Sequence, residues 1–140
     1  MKTAAQTEQT LVLLLRFLAI LELLAIPTVM LPLSWMAVVH EYLGLGQLPD
    51  APIVSYLARS VSVFYSFHGA IVLFMSRDVR RYWPLIRLWA VMMILMGIFL
   101  LTIDVALKMP IFWIISEGPF AIVLGGIVLW LQRIGDQEAA

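Results

Sequence analysis

The sequence predicts an all-α integral membrane protein, a four-helix bundle with a short interfacial helix in its first outer loop. Three observations carry this reading. Of the 140 residues, 63% are hydrophobic and 13% are charged, and the mean hydropathy is +0.99. Soluble domains run near roughly 45–50% and 25% on those two counts. A soluble chain of this size buries only about 70% of its extended surface, too little to hide so much Leu, Ile, Val, Met and Phe from water. Next, four stretches are apolar over the roughly 20 residues needed to cross a hydrocarbon core about 30 Å thick. None of them alternates with period two, so helices rather than barrel strands satisfy the backbone in lipid.

In chain order, residues 1–10 are short and polar. The apolar run that follows is too long for a signal peptide, contains Arg16 and Glu22, and has no small-residue cleavage site after it, so it reads as a retained span. The spans run about Thr10 to Leu31, Ile53 to Ser76, Pro84 to Leu107 and Pro110 to Gln132. No repeat, low-complexity tract or linker divides them, which predicts one four-span domain. Between the first two lies the longest loop. Ser34 is a plausible N-cap there and Gly44 a plausible stop. Trp35, Val38, Val39, Tyr42 and Leu43 fall on one helical face, with His40 and Glu41 off it. This predicts a helix lying on the outer leaflet, or a continuation of span one past Pro32.

Charge sets the orientation. The turn between spans two and three holds Arg77, Arg80 and Arg81, with Arg87 just inside span three, and the tails add Lys2 and Arg133. The opposite side has Lys108. The positive-inside rule therefore predicts that both termini and the Arg turn are cytoplasmic, and the expected location is the inner membrane. The Arg77, Arg80 and Arg81 group reads as a topology signal in contact with anionic headgroups. Tyr82 and Trp83 read as interfacial anchors, and Pro84 suits the first turn of a helix.

Ionisable residues inside spans are costly and therefore buried, paired or functional. Span two carries Ser55, Arg59, Ser62, Ser66 and Ala70 on one stripe of small residues, the kind of surface that faces a bundle. Asp104 shares a face with Ala90, Met93 and Gly97, and Glu117 with Ala121, Gly125 and Val128. Arg16 and Glu22 both turn partly inward around Ala19. Counting depth along each helix places Glu22, Arg59, Asp104 and Glu117 together in the outer half of the bilayer. They form a candidate polar cluster, either a structural ion-pair network or a binding pocket. Lys108 stands at i+4 from Asp104 as a local partner, and His40, Glu41 and Lys108 are candidates for the rim. Ser116-Glu117-Gly118-Pro119 predicts a kink or a break in span four, because Pro119 cannot donate to the Ile115 carbonyl.

Other chemistries are excluded or unsupported. Nine basic and nine acidic residues cancel, leaving no basic footprint for nucleic acid. The absence of cysteine excludes disulfides, thiolate metal sites and cysteine nucleophiles. His40 and His68 fall near opposite leaflets and make no haem ligand pair. No metalloprotease, nucleophile-elbow or phosphate-loop motif occurs. The expectation is no metal, no cofactor and no catalytic residue.

Several residues together resemble the small four-span, DoxX-like membrane proteins, many of which have no known function. They are Arg16, the stretch Tyr56-Leu57-Ala58-Arg59-Ser60, Gly69, the turn Arg77-Asp78-Val79-Arg80-Arg81, and the segment Asp104 to Pro110. The resemblance implies a four-span fold over most of the chain. Some members of that wider group are linked to quinone-coupled oxidation of sulfur compounds. Cysteine and a redox ligand set are absent here, so no oxidoreductase activity is carried over. The leading expectation is a non-enzymatic accessory subunit or scaffold, partnered by the bilayer and by a larger membrane complex or copies of itself. One alternative is a binder or transporter of a small amphipathic or cationic ligand through the outer-half cluster. Another is a quinone-linked redox accessory.

Overall fold

The structure is a computed structural model that describes residues 4–139, so Lys2 lies outside the described residues. Helices α1 (Ala4–Leu23), α2 (Ile26–Met30), α3 (Leu33–Tyr42), α4 (Pro52–Met75), α5 (Trp83–Ala106), α6 (Ile111–Ser116) and α7 (Gly118–Ala139) follow in order, with no strand among the described residues. Among the described residues four stretches are long and apolar enough to cross a membrane: Ala5–Met30, Pro52–Met75, Trp83–Ala106 and Ile111–Glu138. The all-α class is the one that forms.

The breaks have local causes. Pro27 cannot donate to the Leu23 carbonyl, so α1 stops and α2 restarts with that proline in its first turn. Leu31 precedes Pro32 and is extended, with ψ 139°, as a residue before proline prefers. Span one therefore does not run through Pro32. Pro32 takes the N-cap position of α3, and its carbonyl accepts from the Trp35 N–H at 3.0 Å. Ser34, expected as the cap, lies inside the helix instead. At the other end Gly44 adopts φ +72°, and the Leu45 N–H reaches the His40 carbonyl at 3.1 Å. Together with the Gly44 N–H on Glu41 at 2.9 Å, this is a Schellman turn, which a glycine enters without steric penalty.

The described residues form two compact units, one of residues 15–74 and one of residues 4–14 with 75–139. In the first, α1 meets α4 at Gly69, where a Cβ would lie 2.9 Å from both the Ala19 carbonyl oxygen and the Glu22 Cβ. Backbones approach this closely only where a side chain is missing. Ser62, Ser66 and Val72 are buried on α4. Ser55 and Arg59 are half-buried, while Ala70, expected on the same stripe, is exposed because the contact passes through Gly69.

In the second unit α5 and α7 pack antiparallel. A Cβ at Gly97 would lie 2.6 Å from the Gly118 oxygen, and one at Gly125 would lie 2.5 Å from the Ala90 oxygen. Lipid gives helices no hydrophobic reason to associate, so small residues and close van der Waals contact hold them. Ala90, Met93, Gly97 and Asp104 are buried on α5, and Ala121, Leu124 and Val128 on α7. Helix α5 ends in a second Schellman turn, with the Met109 N–H on the Asp104 carbonyl at 3.0 Å and the Lys108 N–H on Val105 at 3.2 Å. Lys108 occupies the left-handed position at φ 55° that glycine normally fills.

Candidate functional site: charged groups in the apolar helices

Arg59 is half-buried on α4. Its Nε donates to Ser55 Oγ at 3.1 Å, one Nη to the Leu31 carbonyl at 2.8 Å, and the other Nη to the Val29 carbonyl. These carbonyls belong to the end of α2, where helical donors run out. The guanidinium thus caps a helix end from the neighbouring helix. Glu22 does not join it. The Glu22 carboxylate lies 2.7 Å from His68 Nδ1. His68 is nine residues beyond Arg59, a rise of about 14 Å along the helix.

Helix α1 starts at Ala4 rather than Thr10, and its first turns belong to a polar end. There Glu8 takes a hydrogen bond from Arg80 at 2.7 Å, and Thr7 donates to Glu138 at 3.3 Å. Glu22 itself sits level with Gly69 and His68, not with Arg59. Arg16, expected partly inward, is exposed. His40, expected at a rim, places its Nδ1 2.9 Å from the Gly46 carbonyl in the loop after its own helix, and Glu41 is exposed.

Arginines read as a lipid and topology signal also hold protein. Arg80 binds Glu8, and Arg87 binds Asp136 at 2.5 Å. Asp136 also accepts from Trp83 Nε1 at 2.9 Å. Fully buried Gln132 donates to the Trp83 carbonyl at 2.8 Å. Arg77 is exposed, as is Arg81, whose guanidinium lies 5.8 Å from the Tyr82 ring centre. The acids Glu8, Asp136 and Glu138 give no sign in the sequence beyond lying near the chain ends. The polar end they build was not expected.

Asp104 and Glu117 do come together. The α5·α7 register, carried past the contact of Gly97 and Leu101 with Gly118, sets the buried face of α5 at Asp104 against the α6–α7 break. Glu117 is the break itself, with φ −106° and ψ −77°, and its Oε2 accepts from Trp113 Nε1 at 2.8 Å. Ser116, offered as a cap, instead turns its hydroxyl back to the Trp113 carbonyl at 3.1 Å. Asp104 is 4% exposed, and its Oδ2 is buried with no hydrogen-bond partner. Lys108 was expected to pair with it. The left-handed turn after α5 takes Lys108 off the helical i+4 position and leaves it exposed.

An open apolar recess of about 560 Å³ at the same break is lined by Ile115, Ser116, Pro119, Phe120 and Val123. Its α7 residues lie away from the Gly118, Ala121 and Gly125 face that packs on α5, and neither acid lines it. Among the described residues no group of three or more His, Asp or Glu is placed to hold a metal ion. No protein family, curated protein or solved structure matches this chain.

Proposed function

We propose that the protein is a small, non-enzymatic subunit or scaffold of an inner-membrane assembly, with both termini in the cytoplasm. One observation supports this most directly: Arg59, Glu22 and His68, in or beside the apolar spans, bind groups of their own unit. Arg59 closes a helix end, and Glu22 with His68 joins two helices. Each contact ties one helix to another, the use a structural bundle makes of polar residues in its spans. The exposed apolar face of α3, Trp35, Val38, Val39 and Tyr42, supports a helix lying on the outer leaflet. The arginine-rich turn supports the orientation.

Purification from native membranes in mild detergent, followed by native mass spectrometry, tests the reading. A complex of fixed stoichiometry, containing partner chains or copies of this one, is expected. A single chain carrying lipid alone overturns the subunit reading.

A further inference from the structure

Asp104 Oδ2 is an acceptor with neither solvent nor a donor. A buried polar oxygen left without a partner is costly, so such atoms in native proteins have partners. Among the described residues, α6 and α7, which pack on α5, supply no basic group here. Helix α6 carries no charged residue. On α7 the charged residues Arg133, Asp136 and Glu138 lie in the last turns, and Asp136 and Glu138 are tied to Trp83, Arg87 and Thr7. Arg87, the charged residue of α5 besides Asp104, is 17 positions away, about 25 Å along the helix. Lys108 is exposed beyond the helix end. Glu117 adds a second carboxyl at this break, and Pro119 leaves the Ile115 carbonyl without its helical donor.

We infer that Asp104 and Glu117, with carbonyl oxygens of the α6–α7 break, bind a small monovalent inorganic cation. Space and charge select that class. Asp104 Oδ2 has almost no accessible surface, and the nearby recess is lined by neither acid, so an organic ammonium has no room at this atom. Calcium takes about 6–8 oxygens at its sites, and no third acid or histidine joins this pair among the described residues. Broken helices at membrane depth offer both ingredients of a monovalent site, unwound carbonyls and a compensating carboxylate. The inference is independent of the subunit reading.

The test uses the full chain in detergent. Thermal unfolding is followed in sodium, potassium, lithium and choline chloride at equal ionic strength, with intrinsic tryptophan fluorescence as a second readout. At least one inorganic cation is expected to raise Tm saturably above choline, as binding to the folded state requires. Asp104→Asn should abolish the ion-specific shift. Glu117→Gln, which keeps the shape and removes a charge, should weaken apparent affinity by about tenfold or more. Coincident curves in all four salts for the wild-type chain overturn the inference, and a buried water or proton in place of the cation gives that result. It also fails if the ion-specific shift survives unchanged in Glu117→Gln, a result that stands even if Asp104→Asn does not fold.

Discussion

Arg59 donates to two carbonyls at the point where α2 stops and to a serine one turn back on its own helix. A planar fork of N–H groups reaches several acceptors at once, which an ammonium on a flexible stem does not. Arg59→Ala is therefore expected to lower unfolding stability in detergent by about 1.5–3 kcal/mol, the range for hydrogen bonds to a charged group. Arg59→Lys should recover only part of the loss. Equal stability of the alanine variant and the wild type in a denaturant titration would remove the cap from the account. That Arg59 turns inward is legible from Ser55, Ser62 and Ser66 on its stripe. Its acceptors are not legible, because every residue carries a carbonyl and only the departure from helix at Leu31 leaves these without helical donors. The same limit hides the contact between Glu22 and His68, since no residue type announces how far one helix slides along another.

Adjacent glycines on α7 separate packing from helix propensity. A Cβ at Gly125 meets the Ala90 backbone oxygen at 2.5 Å, whereas nothing lies within 4 Å of one at Gly126. Gly125→Ala must push two helices apart and is expected to destabilise by about 1–2 kcal/mol, as overpacking does. Gly126→Ala is expected to be neutral or to stabilise by up to about 1 kcal/mol through helix propensity alone. Thermal unfolding of the two variants side by side is the measurement, and equal effects would refute the close α5·α7 approach. Element identity was legible here because it is local. Ala90, Met93, Gly97 and Asp104 recur at helical spacing, and they are the buried face. Pro119 announces the break at Glu117 and Pro27 explains the one after α1. What escaped was how each break ends. Pro32 rather than Ser34 opens α3, and a lysine rather than a glycine turns the chain after α5.

At the scale of the molecule the question is which side each end faces. Within one unit the N-terminal turns of α1, the arginine turn and the last turns of α7 meet, through Glu8 with Arg80, Thr7 with Glu138 and Arg87 with Asp136. Termini at one end require an even number of crossings, which four apolar stretches supply. The chain has no cysteine, so each introduced one reports alone. Asp50 and Gln137 are exposed and serve as reporters, whereas Val79, in the arginine turn itself, is 1% exposed and would mislead. In intact cells an impermeant maleimide should modify Asp50→Cys and spare Gln137→Cys until the membrane is opened. The reverse pattern overturns the orientation, and labelling of both from one side overturns the crossing number. Arg80 and Arg87 are paired with acids in the folded state, yet the positive-inside bias counts Lys and Arg and largely ignores Asp and Glu. Removing the acid in Glu8→Gln should therefore leave both labelling patterns unchanged. Replacing Arg77, Arg80 and Arg81 together by Gln should let a fraction of Gln137→Cys chains label from outside, because the insertion bias acts before those ion pairs exist.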